Sequence, residues 1–136
     1  MAVFNKFNSF VEAVAEKVHD LGADQLTLAL TNVAPVAGNT VLANITEISY
    51  TNLSTRNITR TSSSQTAGLY RLIVADLTLT STGGSTGPFR YVVVYNSTAA
   101  AGPLIGWYDY GTALTLNSGE SLSVDFDQVN GLLTLQ

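Results

Sequence analysis

Two stretches constrain the fold of this chain more than any others: Gly87–Tyr95 and Leu104–Tyr110. Both are dominated by β-branched and aromatic residues, which fit a pleated, half-buried surface. The segment between them, Asn96–Pro103, is small and turn-prone, so the pair is expected to form adjacent strands at the centre of a sheet. In the first strand Tyr91, Val93 and Tyr95 would line one face, and Val92 and Val94 the other. Neither face suits water. One can fill a core; the other must meet a second layer of the same chain or a partner.

The only helical pattern lies in the first twenty-two residues. Ser9 with Glu12 is a capping-box candidate, with Phe10 at the first helical position. Phe7, Val11, Val14, Val18 and Leu21 then recur at intervals of three and four, which predicts an amphipathic helix closed by Gly22. His19 would sit in its last turn, at the negative end of the dipole. Phe4, Phe7 and Phe10 carry more aromatic weight than a helix start needs, and are expected to anchor the segment onto the sheet or onto a neighbouring subunit.

Beyond Gly22 the period changes to two. Leu26, Leu28 and Leu30 mark a strand ended by Asn32–Pro35, and Val41–Ile48 reads as a second short strand. Ser49–Gln65 is too polar to bury much area and is expected to be a long loop or a weak edge strand. Leu69–Thr80 predicts a strand kinked near Asp76, with Leu72, Val74, Leu77 and Leu79 inward. Leu114 and Leu116, the turn Asn117–Glu120, and alternating Leu122, Val124 and Phe126 predict a hairpin. Asn130-Gly131 predicts a type I′ return into Leu132–Leu135. About eight short strands result. The expected fold is mainly β: an antiparallel β-sandwich or jelly-roll-like barrel with one N-terminal α-helix. It forms a single domain over 1–136, with an arm and helix at 1–22 and a β domain at 23–136.

Composition narrows the function classes. Charged residues are 12% of the chain, against about 25% in an average soluble protein, so Ser, Thr, Asn and Gly must cover much of the surface. The net charge is −4, and the six Lys and Arg are scattered singly, which argues against a phosphate-backbone partner. No run reads as a membrane span, because Asn96, Gly102 and Pro103 interrupt the charge-free stretch from Tyr91 to Tyr108. Without a signal-like start the chain is expected to be made in a cytoplasm. There is no cysteine, hence no disulfide framework and no thiolate metal site.

No catalytic constellation emerges. The single histidine, His19, has no nucleophile placed by a motif, so the chain is read as a non-enzyme. Asp125 and Asp127, with Asp109 and Glu120, lack calcium-loop spacing, and neither metal nor cofactor is expected. The sequons at Asn44, Asn52, Asn57 and Asn96 fit the Asn/Thr-rich composition. Trp107, Tyr108 and Tyr110 would pack in the core or, in the alternative, form a sugar-stacking platform.

Several segments resemble a family of small virion proteins of tailed bacteriophages. They are Phe4–Phe7 through Phe10–Glu12, Ala15–Gly22, Leu28–Asn32 with Ala34-Pro35, Gly87–Tyr91, Leu104–Gly111, and Ser118–Glu120 to Asp125–Asp127. The resemblance spans nearly the whole chain. It implies a capsid decoration, or cement, protein on the exterior of the virion shell, made in the bacterial host cytoplasm. Its partners would be the major capsid protein and further copies of itself, as a dimer or trimer, with neither nucleic acid nor membrane. Alternatives are a tail, neck or fibre component, and a carbohydrate-binding host-attachment module. By composition, the expected contact residues are Phe4, Phe7 and Phe10 in the arm, and Tyr50, Leu53, Arg56, Ile58 and Arg60 in the polar loop.

Overall fold

The computed structural model describes residues 2–136. The expected central pair is its backbone: β6 (Thr86–Asn96) runs antiparallel to β7 (Leu104–Leu116), setting Val92 opposite Tyr108 and Val93 opposite Trp107. β2 (Leu26–Thr31) pairs with the other side of β6, and the short β1 (Phe4–Lys6) with the other side of β7. The resulting four-stranded order is β1-β7-β6-β2. A second sheet has the order β3-β4-β9, from Arg60–Thr66, Leu69–Val74 and Leu133–Leu135. A two-stranded ribbon joins β5 (Leu77–Thr80) to β8 (Ser121–Val124). The sheets are antiparallel and do not close into a barrel.

Both faces of the central sheet are buried, as its composition requires. On one face Val92, Val94, Leu28, Leu30 and Ile105 meet Leu72, Val74, Leu79, Val124 and Phe126 from the other sheets. On the opposite face Val93, Tyr95, Ala29 and Leu104 are covered by Phe7 and Ile45, with Leu42 and Trp107 packed alongside. The cover thus comes from this chain, the N-terminal arm and the 32–45 segment supplying the second layer.

Several local expectations are corrected. Helix α1 spans only Ser9–Ala15: Asn8 is its N-cap without a side-chain bond, and Lys17 at φ +66° turns the chain out of the helix. Gly22 is not left-handed, and Val11 and Val18 lie exposed rather than in a buried stripe. Val41–Ile48 is no strand. Its Asn44 Oδ1 accepts from the Thr40 and Val41 N–H groups, folding the segment into a 3₁₀ turn at Leu42–Asn44. Ser49–Gln65 divides into a loop and the edge strand β3. The kink near Asp76 separates β4 from β5, because Asp76 Oδ1 turns away to accept from Phe126 N–H.

The C-terminal hairpin is also replaced. β8 pairs with β5 and β9 with β4. Asp127 accepts from the Val129 and Asn130 N–H groups, so the Asn130-Gly131 turn is not the type I′ turn expected. Those φ signs occur instead at Ala67 (+52°) and Gly68 (+82°), the two-residue loop between β3 and β4. Alanine is strained there, where asparagine is favoured. Ala67→Asn is therefore expected to raise the unfolding free energy by about 1 kcal/mol, read as a higher urea midpoint at unchanged slope.

Candidate interaction surface

The second layer is the first candidate. Phe7 is fully buried, its ring 4.5 Å from that of Trp107, which is itself half-buried. Phe7 N–H donates to the Ile105 carbonyl and Asn8 N–H to Ala37, tying the arm to both β7 and the 32–39 strap. A Cβ on Gly106 would fall 2.6 Å from the Asn5 carbonyl, so only glycine lets β1 approach this closely. On the strap Val33 and Val36 stand out, 58% and 59% exposed, as does Val3 ahead of β1. The strap is held by its own bonds, Val33 N–H to Thr31 Oγ1 and Val36 N–H to Asn39 Oδ1. Its valines are thus presented on a fixed backbone.

The polar loop runs along an edge of the central sheet. β2 is an edge of the central sheet, and the loop closes that edge group by group. Ile48 N–H donates to Leu30 O, Leu30 N–H to the Tyr50 hydroxyl, Leu28 N–H to Arg56 O, and Ile58 N–H to Leu26 O. The Arg56 guanidinium donates to Leu28 O and stacks 3.6 Å from the Tyr50 ring centre. Burial pushes the Tyr50 phenol well above its usual range, with the carboxylate of Glu47, which accepts from it at 2.7 Å, adding to the shift. The arrangement protects a strand edge from adding a foreign strand.

Of the expected contact residues, Phe7, Phe10 and Ile58 are in the interior. Phe4 is half-buried against Tyr108, ring centres 5.1 Å apart. Tyr50 and Arg56 are half-buried in the edge cap, Leu53 is half-buried where it bridges Ser81 at the end of β5, and only Arg60 is exposed, donating to the Asp24 carbonyl. The structure brings Tyr50, Arg56 and Ile58 together along β2; Phe10 shares the inner core with Ile58, Phe4 packs against that core, and Phe7 belongs to the outer layer.

One polar cluster escaped the sequence reading. Asn96 is fully buried, and its Oδ1 accepts from Thr98 and Ala99 N–H, which fixes the amide orientation. Its Nδ2 therefore donates to Asp24 Oδ2 at 2.6 Å and to His19 Nδ1 at 3.1 Å. His19, beside Phe10 rather than at a helix end, must then carry its proton on Nε2, which is buried without a partner. Burial lowers the His19 pKa below its usual value, against the opposing pull of Asp24. Burial pushes the Asp24 carboxyl up, but the Asp20 N–H, Asn96, His19 and Arg60 together hold it below the usual carboxylate range. The sequon asparagine at this position gave no signal of it, since the partners lie 72 and 77 residues away.

The acids do not converge. Asp109 forms a bidentate pair with Arg90, at 2.7 and 3.0 Å, and Asp127 caps its own turn. The Arg90 hydrogen bonds hold the Asp109 carboxyl below the usual range, and the Asn130 backbone does the same for Asp127. Among the described residues no three metal-ligating side chains group together, and no helix is long and apolar enough to cross a membrane. Trp107 packs with the outer layer while Tyr108 and Tyr110 pack with the inner core, so the three rings form no common platform. No protein-family model matches the chain, and no curated protein or solved structure is significantly similar to it.

Proposed function

We propose that this chain is a structural protein of a tailed-bacteriophage virion, a decoration protein that binds the outside of the capsid shell and stabilises it. The reading rests on the resemblance of the segments between Phe4 and Asp127 to small phage virion proteins. The low charge of the chain and the rigid strap bearing Val33 and Val36 beside the anchored arm support it, as a preorganised surface binds with little ordering cost. On this reading the strap and Phe4 contact the major capsid protein, while Phe7, Phe10 and Ile58 act by holding the surface in shape. The layered sheets are read as a jelly-roll-like sandwich.

The mechanism is one of linkage. A ligand that binds the closed, expanded shell better than the open one stabilises it, and repeated copies around a symmetry axis multiply weak contacts. The chain is then expected in purified particles at a simple ratio to the major capsid protein, measured by quantitative mass spectrometry. A handful of copies per particle would assign it to the neck, tail or fibre, and absence would remove it from the virion.

A further inference from the structure

We propose that the free edge of β3 is a self-association strand, pairing antiparallel with β3 of a second copy across a two-fold axis centred on Ser64. The proposal does not depend on the virion reading. It starts from how the other edges end. β2 is capped along its length by the loop from Glu47 to Ile58, while β1 and β9 have only three residues each and β8 four. The part of β7 that β1 leaves uncovered, beyond Tyr108, is irregular, with Gly111 at φ +81° and shifts in its register with β6. The other side of β5 is occupied by Leu53 and Ser54. β3 is seven residues long, almost wholly exposed, and has β4 on one side only.

The register follows from the turn. A two-residue type I′ loop at Ala67-Gly68 makes Thr66 and Leu69 the closing hydrogen-bonded pair, and such pairs alternate along the ladder. Ser64 and Ser62 therefore bond to β4, whereas Ser63 and Gln65 direct their N–H and C=O groups outward. The bulge between Arg60 and Ser62 interrupts the regular edge beyond that point. A two-fold axis at Ser64 sets Ser63 of one copy opposite Gln65 of the other, so each outward group of these residues meets its complement. Centring on Ser63 would instead set Gln65 against the bulge.

The side chains permit this pairing. From Thr61 to Thr66 the strand has no charge and no proline, the devices that normally keep an edge from pairing. The two copies of Arg60 would lie at opposite ends of the paired ribbon, away from each other. Identical small hydroxyl side chains face one another at the axis, which suits an isologous contact between copies better than a partner with larger side chains.

The chain's lack of cysteine makes the test specific. Ser64 is exposed, its only side-chain bond being to Ser62 Oγ, and at the axis it faces its own copy as a non-hydrogen-bonded pair, about 4.5 Å between Cα atoms, within disulfide reach. Under mild oxidation S64C is expected to form a disulfide-linked dimer, whereas S62C, which faces Thr66 of the other copy, stays monomeric. The unmodified chain should sediment at twice its monomer mass, and S64K, setting like charges opposite each other, should sediment as a monomer with an unchanged circular dichroism spectrum. A monomeric unmodified chain, or crosslinking of S62C as fast as of S64C, would overturn the proposal. Either result would leave the copy-number test of the virion reading untouched.

Discussion

Phe7→Ala is expected to lower the unfolding free energy by about 3–5 kcal/mol, the range for deleting a fully buried aromatic ring. The ring is the keystone of the outer layer: it touches the Trp107 ring and belongs to the same cluster as Ala29, Val93 and Leu104. Without it the arm is held only by the three-residue β1, the packing of Phe4 on Tyr108 and a few backbone bonds. A water-filled gap would then open over the outer face of the central sheet. Removal of residues 1–8 should have a still larger effect, because β1 is lost together with Phe7. Urea unfolding monitored by tryptophan fluorescence measures both, since Trp107 is the only tryptophan and lies against the ring being removed. A loss below about 1 kcal/mol for Phe7→Ala would mean that the arm is a dispensable appendage.

Asn96→Ala should cost about 3 kcal/mol, for a different reason. The amide satisfies two backbone N–H groups through its oxygen, and Asp24 and His19 through its nitrogen, with no solvent to replace it. Its charge variant is more diagnostic, because it reverses a pH dependence. In the native protein the His19 pKa is below its usual 6.5, so the unfolded chain binds that proton more readily. The stability from neutral His19 is therefore complete above about pH 6.5 and is lost as pH falls through that value. Asp24, held below its usual 3.8, contributes stability that is present above that value and lost beneath it. Both trends favour neutral over acid conditions.

Asn96→Asp sets a second carboxylate where the amide now donates to Asp24. Like charges at that distance raise the pKa of the new acid, so its proton is held more tightly folded than unfolded. A raised folded pKa gives its stabilisation at low pH and loses it as pH rises. The variant is thus expected to have a higher urea midpoint at about pH 5 than at about pH 8, whereas the native chain shows the reverse order. If both proteins show the same order, the Asn96–Asp24–His19 contacts do not couple to stability as their geometry requires.

Much of the architecture was legible in the residues themselves. The β6–β7 pair could be read because Tyr91–Tyr95 and Leu104–Tyr110 combine β-branched and aromatic side chains with a turn between them, a signal contained within about two dozen residues. The same stretch announced that both faces would be covered. The alternation of Leu26, Leu28 and Leu30 located β2, and the polarity of Ser49–Gln65 left a long loop or a weak edge strand, which the structure divides between the two. Periodicity failed at the helix: Val11 lies within α1 but on its exposed side, and Val18 keeps the spacing of a buried stripe after the chain has left the helix at Lys17. It failed again at the C-terminus, where local turn signals cannot reveal that β8 and β9 leave each other for β5 and β4.

The candidate surface was less legible than the fold, since aromatic and arginine side chains read alike whether they meet a partner or close an edge. Phe7 and Arg56 looked like exposed anchors in a polar context, yet each is consumed within the chain, one under the outer layer and one on the β2 edge. The sequence by itself determined that this is a β protein with too few charges and too much apolar sheet for a one-sided core. Only the tertiary structure decided which segments cover that sheet and that Asn96 joins His19 to Asp24. It also decided that β3 keeps a regular open edge. Those outcomes rest on contacts between residues dozens of positions apart, and local pattern holds no information about which distant segment wins such a contact.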